Sequence, residues 1–252
     1  MKFSIVIPVR YASTRLPGKP LLDIAGRPMI AHVYERACES GADDIIVATD
    51  DQRIADVADR IGAEVCLTSA DHSSGTERIA EVVERKNYSD DRIIVNLQGD
   101  EPCLPGALLH QVADDLDRHP QADMSTLCED ITSVDAFCDW HVAKVALDQA
   151  GYALYFSRAP IPWPRDAFTK DPKALPKGQS YLKHIGVYAY RAGFIKRYVS
   201  WPASSLEKTE SLEQLRVLWH GGRIHVVHAC CDAGVGVDTP EDLEKVRQLF
   251  SK

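Results

Sequence analysis

The alternation of apolar runs with helical apolar patterns predicts an α/β fold for the first half of the chain. Short runs of apolar and β-branched residues predict buried strands at residues 3–9, 44–50, 64–68 and 93–97. Apolar residues at helical spacing predict helices at residues 28–40 and 51–61, and two further helices whose apolar faces are residues 79–83 and 108–116. Strands and helices in this order are typical of a parallel sheet with helices on both faces.

The second half of the chain has a less regular pattern. In order, it predicts a hairpin of strands at 142–147 and 152–157, an irregular proline-rich and polar segment up to Gln179, a strand at 184–190, helices from Gly193 and at about 207–219, and a last strand at 224–229. Thr239 and Pro240 are typical of a helix N-cap and first helical residue, which predicts a C-terminal helix. No linker, repeat or low-complexity tract divides the sequence, so residues 1–252 are predicted to form one domain.

The composition narrows the class of protein. The chain has 252 residues, of which 45% are hydrophobic, and a net charge of −8, which fits a globular protein and gives no sign of a nucleic-acid partner. No apolar stretch approaches the roughly 20 residues that span a bilayer, and Arg10 closes the opening apolar run where a signal peptide would be cleaved. The seven cysteines include no CxxC pair. A reduced, cytoplasmic setting is therefore expected.

A cationic loop follows the first predicted strand, against the acidic balance of the whole chain. It contains Arg10, Arg15 and Lys19, and Pro17 and Gly18 restrict its conformation. α/β proteins use loops of this kind, at the end of a buried strand, to hold polyanions. The alternative is an ordinary solvated basic loop. The sequence has neither a Walker A motif nor GxGxxG, which disfavours a P-loop or dinucleotide site.

Polar residues follow several predicted strands directly. Arg10, Asp50 and residues 98–100 stand at such positions, and the carboxyl ends of parallel strands meet at one edge of a sheet, where ligands bind. Asp100 and Asp238 are candidate metal ligands, because Mg²⁺ prefers carboxylates together with substrate phosphates. Asp238 could instead cap the C-terminal helix, but the threonine that follows it already suits that position.

Four residues of the second half are further candidates. His184 begins a predicted strand, and Arg158 stands beside tyrosines and prolines, where it could bind an anion or cap the sheet. Glu210 and Gln214 are one turn apart on the predicted helix and are expected to share a face. The alternatives are a structural role for the histidine and ordinary surface positions on the helix for the other two.

Seven stretches carry a resemblance across nearly the whole chain. They are RYASTRLPGKPL (10–21), SSGTER (73–78), NLQGDEP (96–102), YFSRAPIPW (155–163), HIGVYAYR (184–191), LEQLRVLW (212–219) and GVDTPEDL (236–243). Together, and in this order, they resemble the 3-deoxy-manno-octulosonate cytidylyltransferase family, the CMP-KDO synthetases of lipopolysaccharide biosynthesis. The first loop does not match the Ser/Lys-centred loop of the related CMP-sialate synthetases.

The resemblance implies a mostly parallel, Rossmann-like nucleotide-binding sheet with an inserted hairpin region for sugar binding and dimerisation, at about residues 130–200. It implies a homodimer that uses Mg²⁺ to convert CTP and 3-deoxy-D-manno-octulosonate (KDO) to CMP-KDO and pyrophosphate. The implied nucleotide-binding residues are Arg10, Arg15, Lys19, Ser74, Gly75 and Gln98. The implied residues around the sugar acid are Gln98, Arg158, His184, Tyr188, Glu210 and Gln214. The implied metal ligands are Asp100 and Asp238, which with Lys19 are the predicted catalytic residues.

The expected reaction is direct, in-line attack of the KDO anomeric hydroxyl on the α-phosphorus of CTP. Cations of the first loop and Arg158 are expected to offset the repulsion between the anionic nucleotide and the sugar acid, and Lys19 to act chiefly on the leaving pyrophosphate. An 8-amino analogue of KDO would make the same contacts, so the sequence does not distinguish the two as the sugar acid that receives CMP. A metal-dependent glycosyltransferase and a non-enzymatic nucleotide-binding module are the alternatives, although no D-x-D sequence follows a predicted strand.

Overall fold

The computed structural model describes residues 1–12 and 16–251 and contains a nine-stranded sheet. The strands in chain order are β1 (Phe3–Val9), β2 (Asp23–Ile24), β3 (Arg27–Pro28), β4 (Asp44–Thr49), β5 (Glu64–Leu67), β6 (Ile93–Asn96), β7 (Met124–Asp130), β8 (Lys144–Leu147), β9 (Ala153–Ser157), β10 (Leu182–Arg191) and β11 (Ile224–His228). The order across the sheet is β11-β7-β10-β6-β1-β4-β5. The β8–β9 hairpin pairs onto β10, and β2 and β3 form a separate pair.

Helices cover both faces of this sheet. The α-helices of the described residues are α1 (Met29–Cys38), α2 (Gln52–Arg60), α3 (Gly75–Arg85), α4 (Gly106–Arg118), α5 (Val134–Cys138), α6 (Arg165–Lys170), α7 (Ala192–Val199), α8 (Ser205–Glu210), α9 (Leu215–Trp219) and α10 (Pro240–Phe250). A 3-10 turn spans Lys19–Leu21. No helix in the described ranges is long and apolar enough to cross a membrane.

The predicted parallel α/β core is confirmed. β1 pairs in parallel with both β4 and β6, and β4 pairs in parallel with β5. Successive β1 side chains enter two apolar layers, as expected for a strand buried on both faces. Ile5 and Ile7 pack in the layer that contains the apolar faces of α1 and α4, whereas Val6 packs in the layer that contains α3 and α7. The hairpin, the strand at β10 and the C-terminal helix capped by Thr239 are also confirmed.

One strand that the apolar pattern did not predict lies inside the sheet. β7 pairs in parallel with β11 and antiparallel with β10, which is also antiparallel to β6. Its apolar pattern is interrupted by Ser125 and Thr126, yet both residues are fully buried. Their hydroxyls donate to Asp115 and to the Val187 carbonyl oxygen, and these bonds offset the cost of burying polar groups. A criterion based on apolar runs therefore misses this strand.

The predicted single helix at about residues 207–219 is wrong. α8 follows a capping box at Ser204 and ends at Glu210, because the next residue, Ser211, has a left-handed φ of 51°. α9 is a separate helix. Glu210 and Gln214 therefore do not share a helical face, and the argument that grouped them by helical spacing is wrong.

Two short helices lie where none was predicted. α6 lies within the segment that was expected to be irregular up to Gln179, and α5 precedes the hairpin. The ring of Phe137 in α5 packs edge-to-face against those of Phe168 in α6 and Tyr181, with centroids 6.2 and 4.8 Å apart. This small aromatic cluster gives both helices an apolar contact that periodicity over five or six residues cannot reveal.

A buried carboxylate joins three elements near the start of β7 and β11. Asp115 in α4 accepts hydrogen bonds from the Ser125 hydroxyl and from Nδ1 of His225, the latter at 2.8 Å. The ring of His119, at the end of α4, stacks on that of His225 with centroids 3.6 Å apart. These contacts fix the end of α4 against the sheet.

Candidate active site

A cleft of about 400 Å³ opens at the carboxyl ends of β1 and β6. These strands are parallel neighbours, so the residues that follow them meet there, as the sequence predicted. A Cβ at Gly99 would lie only 2.0 Å from Cγ1 of Val9, so a larger residue would force the two strand ends apart. The lining includes Arg10, Lys19, Gly75, Arg78, Gln98 and Asp100.

Lys19 brings two acidic residues together at one end of this cleft. Its Nζ donates to Oδ2 of Asp100 at 2.7 Å and to the carbonyl oxygen of Val237 at 2.8 Å, and it lies 3.6 Å from Oδ1 of Asp238. The segment before α10 reaches the site because the Val237 amide donates to the Asp100 carbonyl oxygen. Two carboxylates that are distant in sequence therefore lie within reach of one cation.

The same end of the cleft carries more negative charge than Lys19 offsets. Burial, together with the charges of Asp100 and Asp238, raises the pKa of the Glu101 carboxyl to about 8. The ammonium of Lys19 acts in the opposite direction but does not cancel the rise. A divalent cation at the two aspartates would supply the missing positive charge.

Arg78 is a site residue that sequence reasoning did not single out. Its side chain is 2% exposed, lines the cleft and donates through Nη1 to the Thr68 hydroxyl and the Ser69 carbonyl oxygen. Its Nη2 lies 3.4 Å from Oδ2 of Asp50 and has no hydrogen-bond partner in the described part of the chain. A guanidinium that lines a cleft is suited to an acceptor on a ligand. The available signal was its place in the SSGTER stretch.

The first turn of α3 forms another part of the cleft. Ser74 is the N-cap, and its side-chain oxygen accepts from the Glu77 amide at 3.2 Å. Gly75 opens the helix so close to Pro8 that a Cβ would lie 3.3 Å from Cγ of the proline. The N-terminus of a helix attracts anions through its free amides and dipole. Of the predicted cationic loop, Arg10 is exposed at the cleft, and Arg15 lies outside the described residues.

Three of the residues predicted to surround the sugar acid form one chain of hydrogen bonds between β10 and the α8–α9 segment. The Tyr188 hydroxyl donates to Oε1 of Gln214 at 3.3 Å, and Nε2 of Gln214 lies 3.5 Å from Nδ1 of His184. The Thr126 hydroxyl lies 3.0 Å from Nε2 of His184 and donates its own proton to the Val187 carbonyl oxygen. Burial lowers the pKa of His184 to about 3, so the ring is neutral. These bonds place its proton on Nε2 and its lone pair towards Gln214.

Arg158 and Glu210 form a second group beside the hairpin. The Ser157 hydroxyl and the Arg158 amide donate to the two carboxylate oxygens of Glu210, at 2.7 and 2.9 Å. Nε of Arg158 donates to the Glu210 carbonyl oxygen at 2.6 Å, and its other nitrogens face the carbonyl oxygens of Trp140 and Ser211. Glu210 therefore contacts residues 157–158 rather than Gln214.

Two contacts connect the cleft with these groups. Nε2 of Gln98 donates to Oδ1 of Asn96 at 3.3 Å, and Asn96 pairs with Tyr188 across β6 and β10. The Thr76 hydroxyl in α3 donates to Oε1 of Glu213 at 3.1 Å. Burial raises the pKa of Glu213, which directly precedes Gln214, the glutamine that bonds His184 and Tyr188.

Comparison with known proteins assigns the family. The cytidylyltransferase family profile matches residues 4–224. The 3-deoxy-manno-octulosonate cytidylyltransferase 1 of Hydrogenovibrio crunogenus is 55% identical over 251 residues, which cover 100% of this chain and 97% of that protein. The protein named 3-deoxy-manno-octulosonate cytidylyltransferase from Photobacterium profundum is 57% identical over 250 residues, covering 99% and 100%. The chain belongs to the 3-deoxy-manno-octulosonate cytidylyltransferase family.

Solved structures agree with this family membership. A structure of CMP:2-keto-3-deoxy-manno-octonic acid synthetase complexed with CTP matches this chain with a TM-score of 0.90 and 43% identity. The match covers 100% of this chain and 99% of the chain in that structure. A cytidylyltransferase from Leptospira borgpetersenii matches with a TM-score of 0.63 and 19% identity, covering 100% and 87%, which shows the shared fold alone. The predicted family and fold class are confirmed.

The predicted site residues of this family member fall into three groups in the structure. One group lines or borders the cleft and consists of Arg10, Lys19, Ser74, Gly75, Gln98, Asp100 and Asp238. The second is the hydrogen-bonded chain of His184, Tyr188 and Gln214. The third is the pair of Arg158 and Glu210. Their binding and catalytic roles stay predictions.

Proposed function

We propose that the protein transfers CMP from CTP to KDO, releases pyrophosphate, and so supplies CMP-KDO for lipopolysaccharide biosynthesis. The observation that carries the proposal is the group of Lys19, Asp100 and Asp238 at the edge of the cleft. It combines an ammonium suited to phosphate with two carboxylates suited to a divalent cation. The identity of 55 to 57% to proteins named 3-deoxy-manno-octulosonate cytidylyltransferase supports KDO as the acceptor.

The nucleotide half of the site is the cleft. The triphosphate binds to Arg10, Lys19 and the first turn of α3, where Ser74 and Gly75 begin the helix. Arg78, which lines the cleft, lies beside the base in this proposal. Cytosine presents acceptors at O2 and N3, whereas uracil carries a proton on N3. An arginine, which only donates, therefore favours cytosine.

Asp100 and Asp238 hold Mg²⁺ in this proposal. The residues fit such an ion, because the two carboxylates lie together, and burial with their negative charges raises the pKa of Glu101 to about 8. When bound, the ion would neutralise triphosphate charge and lower the pKa of the attacking hydroxyl. The ammonium of Lys19 would then mainly stabilise the negative charge that develops on the leaving pyrophosphate.

The reaction is a single displacement. The anomeric oxygen of KDO forms a bond to the α-phosphorus, the bond from that phosphorus to the pyrophosphate oxygen breaks, and the hydroxyl proton passes to solvent. The chain's own contribution is to orient the two anions and offset their repulsion. Gln98 at the cleft and the two acceptor groups, His184, Tyr188 and Gln214 with Arg158 and Glu210, surround the sugar acid in this proposal.

The proposed assembly is a homodimer that forms through the inserted region at about residues 130–200. Within the described residues, β9 pairs in the sheet only with β8, and the isolated bridge of Tyr152 with His225 lies before its first residue. Three large apolar side chains near it, Trp140, Leu154 and Trp163, are 59 to 63% exposed. Exposed apolar groups of this size are typical of interfaces. The proposed compartment is the cytoplasm, which fits seven free cysteines and CTP as substrate.

Pyrophosphate release from CTP, measured with Mg²⁺ in the presence and absence of KDO, tests the proposed function. We expect release only when CTP and KDO are both present. The same assay with the 8-amino analogue and with ATP, GTP and UTP defines acceptor and base selectivity. Release that requires no sugar acid, or product formation only from a nucleotide sugar, would contradict the proposal.

A further inference from the structure

A buried lysine in the hairpin has no place in the mechanism described above. Lys144 lies at the start of β8 and is 0% exposed. Its Nζ donates to the carbonyl oxygens of Asp139, Val142 and Arg158, at 2.8, 2.5 and 2.6 Å. All three ammonium protons are thus used on backbone oxygens, and the lysine forms no ion pair with a described residue.

An ammonium without a paired carboxylate is costly to bury. Burial lowers the pKa of Lys144, and the nearest opposing effect comes from Asp139, whose side chain is 43% exposed and therefore screened by water. An apolar side chain of similar length would avoid this cost. What the ammonium supplies instead is a single point that ties the turn at residues 139–142 to the end of β9.

The end of β9 is where the Glu210 group is built. Lys144 is paired in register with Ser157, and its Nζ holds the carbonyl group of Arg158. The amide and Nε of the same Arg158 donate to Glu210, and Ser157 donates to its other carboxylate oxygen. The Arg158 guanidinium also donates to the carbonyl oxygen of Trp140, which lies in the turn that Lys144 holds. Lys144 therefore holds both the backbone of Arg158 and the turn whose carbonyl oxygen binds the Arg158 guanidinium.

The charges of this group point to an anionic ligand. Lys144 and Arg158 each carry a positive charge, and Glu210 carries one negative charge. Asp139 adds a second negative charge, but its side chain is 43% exposed and screened by water, so the group keeps a partly positive field. Both cations are otherwise bound to neutral carbonyl oxygens. The positive charge that is not neutralised within the group can attract a carboxylate on a bound molecule.

We propose that Lys144 is a positioning residue for the sugar-acid acceptor, acting through Arg158 and Glu210. This inference rests on the proposed function. Lys144 touches neither the cleft nor the nucleotide residues, so its contribution is confined to the acceptor half of the site. Its loss should therefore weaken KDO use and leave CTP binding intact.

The test is steady-state kinetics of full-length Lys144→Met with KDO and CTP varied separately. We expect the KM for KDO to rise about tenfold or more, because displacing a positioning group by about 1 Å has effects of that size, while the Kd for CTP changes less than about twofold. Lys183→Met is the matched control. That lysine pairs with Lys144 in register on β10, but its side chain is 43% exposed and bonds Glu129. Its KM values should stay at the wild-type level.

A second variant keeps the test decisive if Lys144→Met folds poorly. Lys144→Gln retains an amide donor for one of the three carbonyl groups, and its KM for KDO should fall between those of wild type and Lys144→Met. Thermal unfolding and CTP binding by calorimetry identify a general folding defect. Equal changes for KDO and CTP, or an unchanged KM for KDO in both folded variants, would overturn the inference. A wild-type protein that makes no CMP-KDO would instead refute the proposed function.

Discussion

Nζ of Lys19 lies 2.7 Å from Oδ2 of Asp100, and this ion pair joins the loop after β1 to the loop after β6. The lysine also bonds the segment before α10, so three separate parts of the chain meet at one ammonium. Replacement by methionine should lower kcat about 100-fold or more, because a preorganised donor to the leaving group is lost. The KM for CTP should rise by a smaller factor. Lys86→Met, which removes a surface partner of Glu64, is the control.

A larger effect of Lys19→Met on CTP binding than on kcat would contradict this division of roles. Pre-steady-state measurement of pyrophosphate release separates the chemical step from product dissociation. Calorimetric titration with CTP gives the binding constant directly. The two measurements together assign the lysine to the leaving group or to ground-state binding.

The Asp100→Asn variant tests the proposed metal ligand. Replacing a carboxylate by an amide removes a charge that Mg²⁺ favours, so the Mg²⁺ concentration for half-maximal rate should rise about tenfold or more. Turnover at ordinary Mg²⁺ should fall accordingly. Asp90→Asn, which alters an exposed carboxylate paired with Lys196, should leave the Mg²⁺ dependence unchanged. Near-normal kcat and Mg²⁺ dependence in Asp100→Asn would remove Asp100 from the site.

Base selectivity tests Arg78. In Arg78→Met, kcat/KM for CTP should fall about 10- to 100-fold, the size expected for losing a charged donor to an acceptor. kcat/KM for UTP should fall less, so the ratio of kcat/KM for CTP to that for UTP should decrease. Arg85→Met removes another arginine of α3, which pairs with Glu81 at the surface, and should leave the ratio unchanged. An unchanged ratio in Arg78→Met, with both values lowered equally, would give Arg78 a purely structural role.

The neutral His184 ring predicts a pH dependence of stability. Its pKa is about 3 in the folded protein and 6.5 for an ordinary histidine, so between these values the unfolded chain binds the proton. The stability that the neutral ring contributes is complete above pH 6.5 and is lost as the pH falls towards 3. Between pH 7 and pH 5 the wild type should lose about 2 kcal/mol more unfolding free energy than His184→Gln. Urea unfolding at both pH values measures the difference, and parallel losses in the two proteins would exclude a buried neutral ring.

The Asp115 carboxylate should contribute to stability without affecting catalysis. Asp115→Asn leaves Ser125 and His225 without a carboxylate acceptor, and the free energy of unfolding should fall by about 1 to 3 kcal/mol. kcat and both KM values should be unchanged. Asp114→Asn, in the same helix, breaks only an i, i+4 pair with Arg118 and should cost about 0.5 kcal/mol or less. Equal unfolding free energies for the two variants would contradict the buried network.

The sequence was most informative where a local pattern determines the structure. The apolar run before Arg10 and the polar residues at 98–100 identify strand ends, and parallel strands force such ends to one edge. Contacts across the chain were less accessible. Ser125 and Thr126 look like loop residues until their buried acceptors are known, and a left-handed Ser211 breaks what periodicity suggests is one helix.

The candidate site shows the same limit. Asp100 and Asp238 were named as candidate metal ligands from their positions after a strand and before a helix, but spacing alone cannot show that residues so far apart in the chain lie together. The Val237–Asp100 backbone bond that brings them together is visible only in the fold. Arg78 and Lys144 stand in helix and strand patterns that favour exposed positions for charged residues. Their burial depends on carbonyl and hydroxyl acceptors supplied by other segments.

The Thr76–Glu213 hydrogen bond has a consequence for the order in which the substrates act. It links the helix that begins at the cleft wall to the residue beside Gln214, so the two halves of the site share a mechanical connection. If CTP tightens this connection, it raises the affinity for the sugar acid, and the sugar acid must then raise the affinity for CTP by the same factor. Binding titrations of each substrate with and without the other would measure that reciprocity, and Thr76→Val should diminish it.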